Sequence, residues 1–284
     1  MPSPPPTAIS AARRTRIWAR SRGRGRTWCR RSAARSIANV KPPADRLYGR
    51  ASSHKLRPRQ QLLLDATLPR LRFDPAQAGD PRAAFAFRPD ALWLEIGFGG
   101  GEHADALAAA NPATGLIACE VFENGLCSLL SRLVPEGEEV DGPLPPNLRI
   151  WDQDARLLLR DLPDGCLDRA FLMFPDPWPK ARHAKRRFVH PAQVPLLARV
   201  LRPGAVWRIA SDDPTYQAWV TDVMAAQDLF APAPAATIRP DGWPPTRYEA
   251  KALRAGRTPM YWTFERTAVP PPAAGTEWRD DDPR

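Results

Sequence analysis

Cysteine is scarce in this chain of 284 residues: Cys29, Cys119, Cys127 and Cys166 form no CxxC pair and sit with no repeated histidine spacing. That pattern argues against a zinc site, so no metal is expected, and reduced thiols in a cytoplasmic compartment are the default. No apolar run approaches the roughly 20 residues that a bilayer span requires, which leaves no candidate membrane helix. Acids are nearly missing from residues 1–59, where Asp45 stands alone against 16 Arg and Lys. The remainder, with 25 basic and 30 acidic residues, is net negative although the whole chain carries +10. Any nucleic-acid contact in the body must therefore be a local patch. The length suits one large domain or two small ones, with chain enough to bury a core.

Residues 1–45 are rich in Arg, Pro, Ser and Ala without apolar periodicity, and are expected to form a disordered basic arm. Three origins stay open for it: an organelle transit segment, an arm for nucleic acid, or an over-long gene start with translation beginning near Val40. Residues 46–266 are expected to be the folded domain, and 267–284, with Asp280-Asp281-Asp282, a disordered tail.

Within the body, Gln60 to Leu64 predicts a short helix that packs against the rest. Ala91–Ile96 reads as a strand, followed at once by Gly97-Phe98-Gly99-Gly100-Gly101-Glu102 and a helix from His103 to Ala110, closed by Asn111-Pro112. Strand, glycines, helix is the order of the first turn of a nucleotide-binding unit, because missing side chains let the backbone approach a ligand. A second strand, Gly115–Cys119, ends in Glu120, placed to grip two ribose hydroxyls, unless it is only an exposed strand terminus. Glu95 lies inside the first strand, two residues before the first glycine. A carboxylate there repels a pyrophosphate and favours a ligand with positive charge, such as an amino acid joined to a sulfonium. The pattern thus points away from NAD and towards S-adenosylmethionine.

Leu126, Leu129, Leu130 and Leu133 repeat at helical spacing and are assigned to core, and 135–146 is a loop. Leu148–Trp151 is a third strand, and Asp154 opens a helix running to Asp161, where it either caps that helix or accepts from an adenine amino group. Strand four, Leu167–Phe174, runs into Pro175-Asp176-Pro177-Trp178-Pro179-Lys180 and then Arg182-His183-Ala184-Lys185-Arg186-Arg187. An acid and an indole at a strand end suit a flat polar ring, and a basic run behind them suits a polyanion or is simply a solvated face. A helix ending at Leu201, interrupted by Pro195, leads through Arg202-Pro203-Gly204 to strand five, Ala205–Ala210, and then Asp212. Tyr216, Trp219, Val220 and Val223 share one face of the next helix. Pro244 to Lys251 is polar and turn-rich, a substrate loop or a linker, and Pro259–Glu265 is a final strand. Glu95, Glu120, Asp176 and Asp212 then fall on one edge of a parallel sheet, the edge that lines the ligand crevice.

Taken together, these segments resemble the bacterial tRNA (guanine-N7-)-methyltransferases over about Arg46 to Arg266. The resemblance rests on Leu94 to Gly99, Cys119-Glu120-Val121, Phe174 to Lys180 with Arg182 to Arg187, Ala210-Ser211-Asp212, and Thr246-Arg247-Tyr248-Glu249. It implies an α/β, Rossmann-like class I methyltransferase domain, with a mostly parallel sheet of about seven strands and helices on both faces. It implies S-adenosylmethionine contacts at Glu95, Gly97, Gly99, Glu120, Asp154 and Asp176, with Asp176 also catalytic. Lys180, Asp212, Thr246, Arg247, Tyr248 and Glu249 would hold the target guanosine, and Arg182, His183, Ala184, Lys185, Arg186 and Arg187 would meet the RNA. The implied product is 7-methylguanosine in the variable loop of tRNA, position 46 in the usual tRNA count. Ala252 stands near where the pattern leads one to expect glycine.

Two other functions are carried alongside. Asp176-Pro177-Trp178 is similar to the (Asn/Asp)-Pro-Pro-aromatic motif of amino-methyltransferases, but lacks its second proline. A non-catalytic RNA-binding relative is the second, and the filled acidic positions argue against it. Both monomer and homodimer are compatible with the sequence.

Overall fold

The computed structural model describes residues 55–272, so the arm expected over 1–45 and most of the tail expected over 267–284 lie outside the described residues. Seven strands form one sheet in the order β3-β2-β1-β4-β5-β7-β6. They are β1 Ala91–Ile96, β2 Thr114–Cys119, β3 Leu148–Trp151, β4 Leu167–Met173, β5 Leu201–Ser211, β6 Phe230–Pro232 and β7 Met260–Arg266. The first five run parallel, while β7 pairs antiparallel with both β5 and β6.

Parallel strands must be covered on both faces, and the alternation of side chains here does that. Leu92, Leu94 and Ile96 of β1 join Ile117, Leu172 and Ile209 in one buried cluster. That cluster is covered by helices Ala155–Asp161 (α4), Val194–Val200 (α5) and Pro214–Ala225 (α6). The opposite face carries Trp93, Leu116, Phe171 and Met173. It lies under a helical run from Pro58 to Leu71 (α1), Glu102–Ala110 (α2) and Glu123–Leu133 (α3). The chain crosses to opposite sides of the sheet after β1 and β3, so the strand order reverses between β1 and β4. The carboxyl ends of those strands form the natural crevice.

Several expectations shift for local physical reasons. The helix foreseen at Gln60–Leu64 continues to Leu71 through a π-wound middle, Leu63–Thr67, with Leu63, Leu68 and Leu71 buried. Arg202-Pro203-Gly204 is no separate turn: β5 starts at Leu201, and the irregularity is absorbed as a register shift opposite Leu167 and Arg169, with Gly204 at φ 80°. Pro195 sits in the first turn of α5, where its missing donor is harmless. The turn-rich segment Thr246–Lys251 is a helix start: Thr246 caps Arg247–Arg254 (α7) by accepting from the Glu249 amide. Ala252 is fully buried inside that helix, and the left-handed glycine comes later, at Gly256 (φ 68°). The three-residue β6 was not foreseen, being too short to show alternation.

Candidate active site

Three glycines shape the turn after β1: Gly97, Gly99 and Gly101 all take positive φ, at 69°, 59° and 79°. A side chain at any of them would be strained, so the backbone lies bare at the rim. Two elements close on it. A Cβ at Gly99 would come within 2.8 Å of the Tyr248 ring, and one at Gly100 within 2.5 Å of the Arg247 guanidinium. Thus the first residues of α7 lie directly against the glycine turn. From the other side, a Cβ at Gly125 of α3 would meet the Gly99 carbonyl oxygen at 2.5 Å. Gly125 was missed in the sequence, where its only signal was a glycine at a helix position that Ala would fill more stably.

Glu120 follows β2 and faces this turn. Its Oε2 accepts from the Gly99 amide at 2.7 Å, and Oε1 accepts from Val121 and Phe122 at 2.8 and 3.0 Å. Burial raises its pKa, these amides counter the rise in part, and the charge of Asp176 adds to it. Burial also pushes up the Cys119 thiol, helped by Glu120, Glu95 and Asp154. Cys119 therefore feels all three carboxylates at once, and Glu120 feels the fourth. The rim brings Glu95, Glu120, Asp154 and Asp176 into one neighbourhood.

Glu95 is 1% exposed, and its Oε1 lies 3.1 Å from Nδ1 of the equally buried His103 on α2. Its Oε2 has no hydrogen-bond partner. In sequence His103 marks only the start of a helix. Asp154 takes the capping role: it accepts from the Arg156 amide, and both its oxygens pair with the Arg156 side chain. Asp212 follows β5 on the same rim but is tied to Arg257 at 2.5 Å. Glu249 is buried, where Oε1 accepts from the Tyr261 hydroxyl at 2.7 Å and from Arg239 at 3.1 Å. Arg247 lies 3.6 Å from Glu102.

Asp176 is exposed on a turn with unusual backbone. Phe174 and Trp178, two residues to either side, are the described non-glycine residues with positive φ, at 52° and 44°. Aromatic residues pay for that geometry, and such strain is found where a site needs a fixed presentation. Arg187 shows what holds it. Its guanidinium donates to the carbonyls of Pro177 (3.1 Å) and Trp178 (3.0 Å) and lies 4.7 Å over the Trp219 ring.

This corrects the RNA-contact expectation for part of the basic run. Ala181–Arg186 is a 3-10 turn that points Ala184 inward, and Arg187 is 5% exposed and bonded internally. Arg186 packs 4.7 Å over Trp178, whose edge meets His183, so the indole has a packing role. Lys180 and Arg182 are exposed and Lys185 partly so, and these remain available at the surface.

Among the described residues, no group of His, Cys, Asp and Glu could hold a metal ion, and no helix is long and apolar enough to cross a membrane.

The sheet order and a glycine turn ringed by rim carboxylates define a Rossmann-like class I methyltransferase. A family model described as "Putative methyltransferase" matches residues 89–261. A tRNA (guanine-N(7)-)-methyltransferase of Granulibacter bethesdensis is 67% identical over 228 residues, covering 80% of this chain and 97% of that protein. One from Rhodospirillum rubrum is 47% identical over 236 residues, covering 80% and 90%. The chain belongs to the tRNA (guanine-N(7)-)-methyltransferase family. Among solved structures, the 16S rRNA methyltransferase KamB shares 17% identity at a TM-score of 0.45, covering 63% of this chain and 89% of its own.

Proposed function

We propose that this protein transfers a methyl group from S-adenosylmethionine to N7 of a variable-loop guanosine, position 46, in tRNA, acting in the cytoplasm. The observation that carries the reading is the bare glycine turn held by Glu120 at 2.7 Å, with Glu95 buried just before it and its Oε2 without a partner. The residues fit the cofactor: Glu95 Oε2 is a buried acceptor without a protein donor, which a cationic amino-acid ligand suits. Gly97 leaves open space at the turn, Glu120 beside Gly99 suits ribose hydroxyls, and Asp154, after the next strand, suits the adenine amino group.

The cofactor supplies a sulfonium methyl, the electrophile of the reaction. Guanine N7 carries an exposed lone pair, so no proton has to be removed and no strong general base is required. The work of the protein is to hold the base in line and to stabilise positive charge, which passes onto the guanine as the methyl moves. Asp176, fixed between two strained aromatic residues beside Glu120, takes that electrostatic and positioning role. Asp212 or Glu249 accepts from the guanine N1 and N2 donors, which distinguishes G from A. Thr246, as the cap of α7, and Arg247 and Tyr248, against the glycine turn, bring the guanosine site into contact with the cofactor site. Lys180, Arg182 and Lys185 form the RNA-facing surface, with His183 and Arg186 packed on Trp178 beneath them and Arg187 behind.

Asp176→Ala tests this reading. Single-turnover methyl transfer should be lost while tRNA binding survives, and full activity in the variant would reject the role given to Asp176.

A further inference from the structure

The sheet face that carries Glu95 also carries two arginines that the proposed reaction does not use. Arg169 of β4 pairs in register with Trp93, and Arg208 of β5 with Phe171, so the two cations are diagonal neighbours on one side of the sheet. Arg169 lies 4.5 Å over the Trp93 ring, while Arg208 lies 5.0 Å over Trp243 and 5.9 Å from the Phe171 centroid. Both are half-buried.

Three other internal guanidinium groups are satisfied by the protein itself. Arg149, Arg187 and Arg266 all donate to backbone carbonyls. Among the described residues, neither Arg169 nor Arg208 has a hydrogen-bond acceptor or an ion-pair partner, and Arg208 Nε is buried without one. The acid next to Arg169 in sequence, Asp168, is already engaged by the Leu92 amide, Arg82 and Arg202. Burial lowers the pKa of both arginines, and the charge of Arg169 helps bring Arg208 to about 10. Two like charges on an aromatic floor, with no acceptor, are poorly compensated unless an anion joins them.

We propose that Arg169 and Arg208 form a phosphate-binding station for the RNA backbone, on the sheet face and apart from the basic turn at 181–186. The proposal rests on the tRNA reading above. Arg208 lies three residues before the β5 terminus at Ser211, about 10 Å below the rim at roughly 3.3 Å per residue. A strand whose base enters at the rim can therefore lay a neighbouring phosphate on these two forks. Thr263, opposite Arg208 on β7, adds a hydroxyl on the same face.

The test uses the full chain and an unmodified tRNA transcript. In the Arg169→Gln/Arg208→Gln double variant, tRNA Kd should rise about tenfold at low salt. The slope of log Kd against log salt should fall by roughly one to two. The double Lys variant should retain most of both, and S-adenosylmethionine affinity by calorimetry should be unchanged in all three proteins. An unchanged salt slope with intact cofactor binding overturns the station but leaves the methyltransferase reading standing. Loss of cofactor binding along with tRNA binding shows a structural role and overturns it too. A wild-type chain that does not bind tRNA overturns both. If ending the chain at residue 272 strengthens tRNA binding only while the two arginines are present, the acidic tail, not RNA, is their partner.

Discussion

Replacing Arg187 by Ala separates an internal brace from an RNA contact. The guanidinium makes two charge-assisted bonds to carbonyls of the Asp176 turn and covers Trp219. Bonds of that kind contribute about 1.5–3 kcal/mol each when buried, and a desolvated cation over an indole about 1–2. The turn is partly solvated, so water recovers some of the loss, and the net destabilisation should be about 2–4 kcal/mol. For a domain of this size that lowers Tm by roughly 5–15 °C. More telling is the turn itself. Arg187 holds the Pro177 and Trp178 carbonyls, and once released Trp178 should relax from its positive φ towards ordinary backbone. Asp176 lies between the strained residues, so kcat should fall about a hundredfold, near 2.7 kcal/mol in the barrier. The salt dependence of tRNA binding should not move. Single-turnover rates, thermal melts and a salt titration of tRNA binding give the three readings. Retained kcat with a salt slope reduced by about one would refute the brace and restore Arg187 to the RNA surface.

Gly125→Ala places a methyl group against the Gly99 carbonyl, backbone against backbone, and should cost about 1–3 kcal/mol. Calorimetry should show cofactor affinity weakened tenfold or more, and unchanged binding would mean that α3 and the glycine turn shift apart freely. The raised pKa of Glu120 sets a pH dependence. As pH falls, its carboxylate takes up a proton sooner than an ordinary glutamate, so cofactor affinity should decline above the usual carboxylate range. Glu120→Gln should bind more weakly and flatten that profile, and a wild-type profile level down to ordinary glutamate pH would contradict it. Replacing Lys180, Arg182 and Lys185 together by Gln should weaken tRNA binding and reduce its salt slope while leaving cofactor affinity intact. An unchanged slope would make the exposed part of that turn merely solvated surface.

How much of this was legible depended on the kind of signal. Strands β1 to β5 could be read because apolar runs ended in glycine, acid or proline, and those endings fix the rim. The placement of Glu95, Glu120 and Asp176 at strand ends on one rim could be read from the same signal, while the role given to Asp176 came from the family resemblance. The segment after Thr246 was opaque because its helix is mostly polar and buries only Glu249 and Ala252, so no apolar stripe announced it. Arg187 was misplaced because a run of cations looks uniform in sequence, while a 3-10 turn sends neighbouring residues in and out in an order that only the fold decides. Gly125 and His103 depend on contacts between elements far apart in sequence, and no spacing rule reaches those. Asp154 caps its helix and pairs with Arg156, an arrangement that the sequence alone leaves beside the adenine role.

The central claim is that the acidic rim presents a methyl donor to N7 of a guanine. Its most direct test is to incubate unmodified tRNA with methyl-labelled S-adenosylmethionine and the full chain, then digest the tRNA and identify the labelled nucleoside and its position by mass spectrometry. Label should appear in 7-methylguanosine at the variable-loop position. Label on an exocyclic amine, or none despite bound tRNA and cofactor, would contradict it.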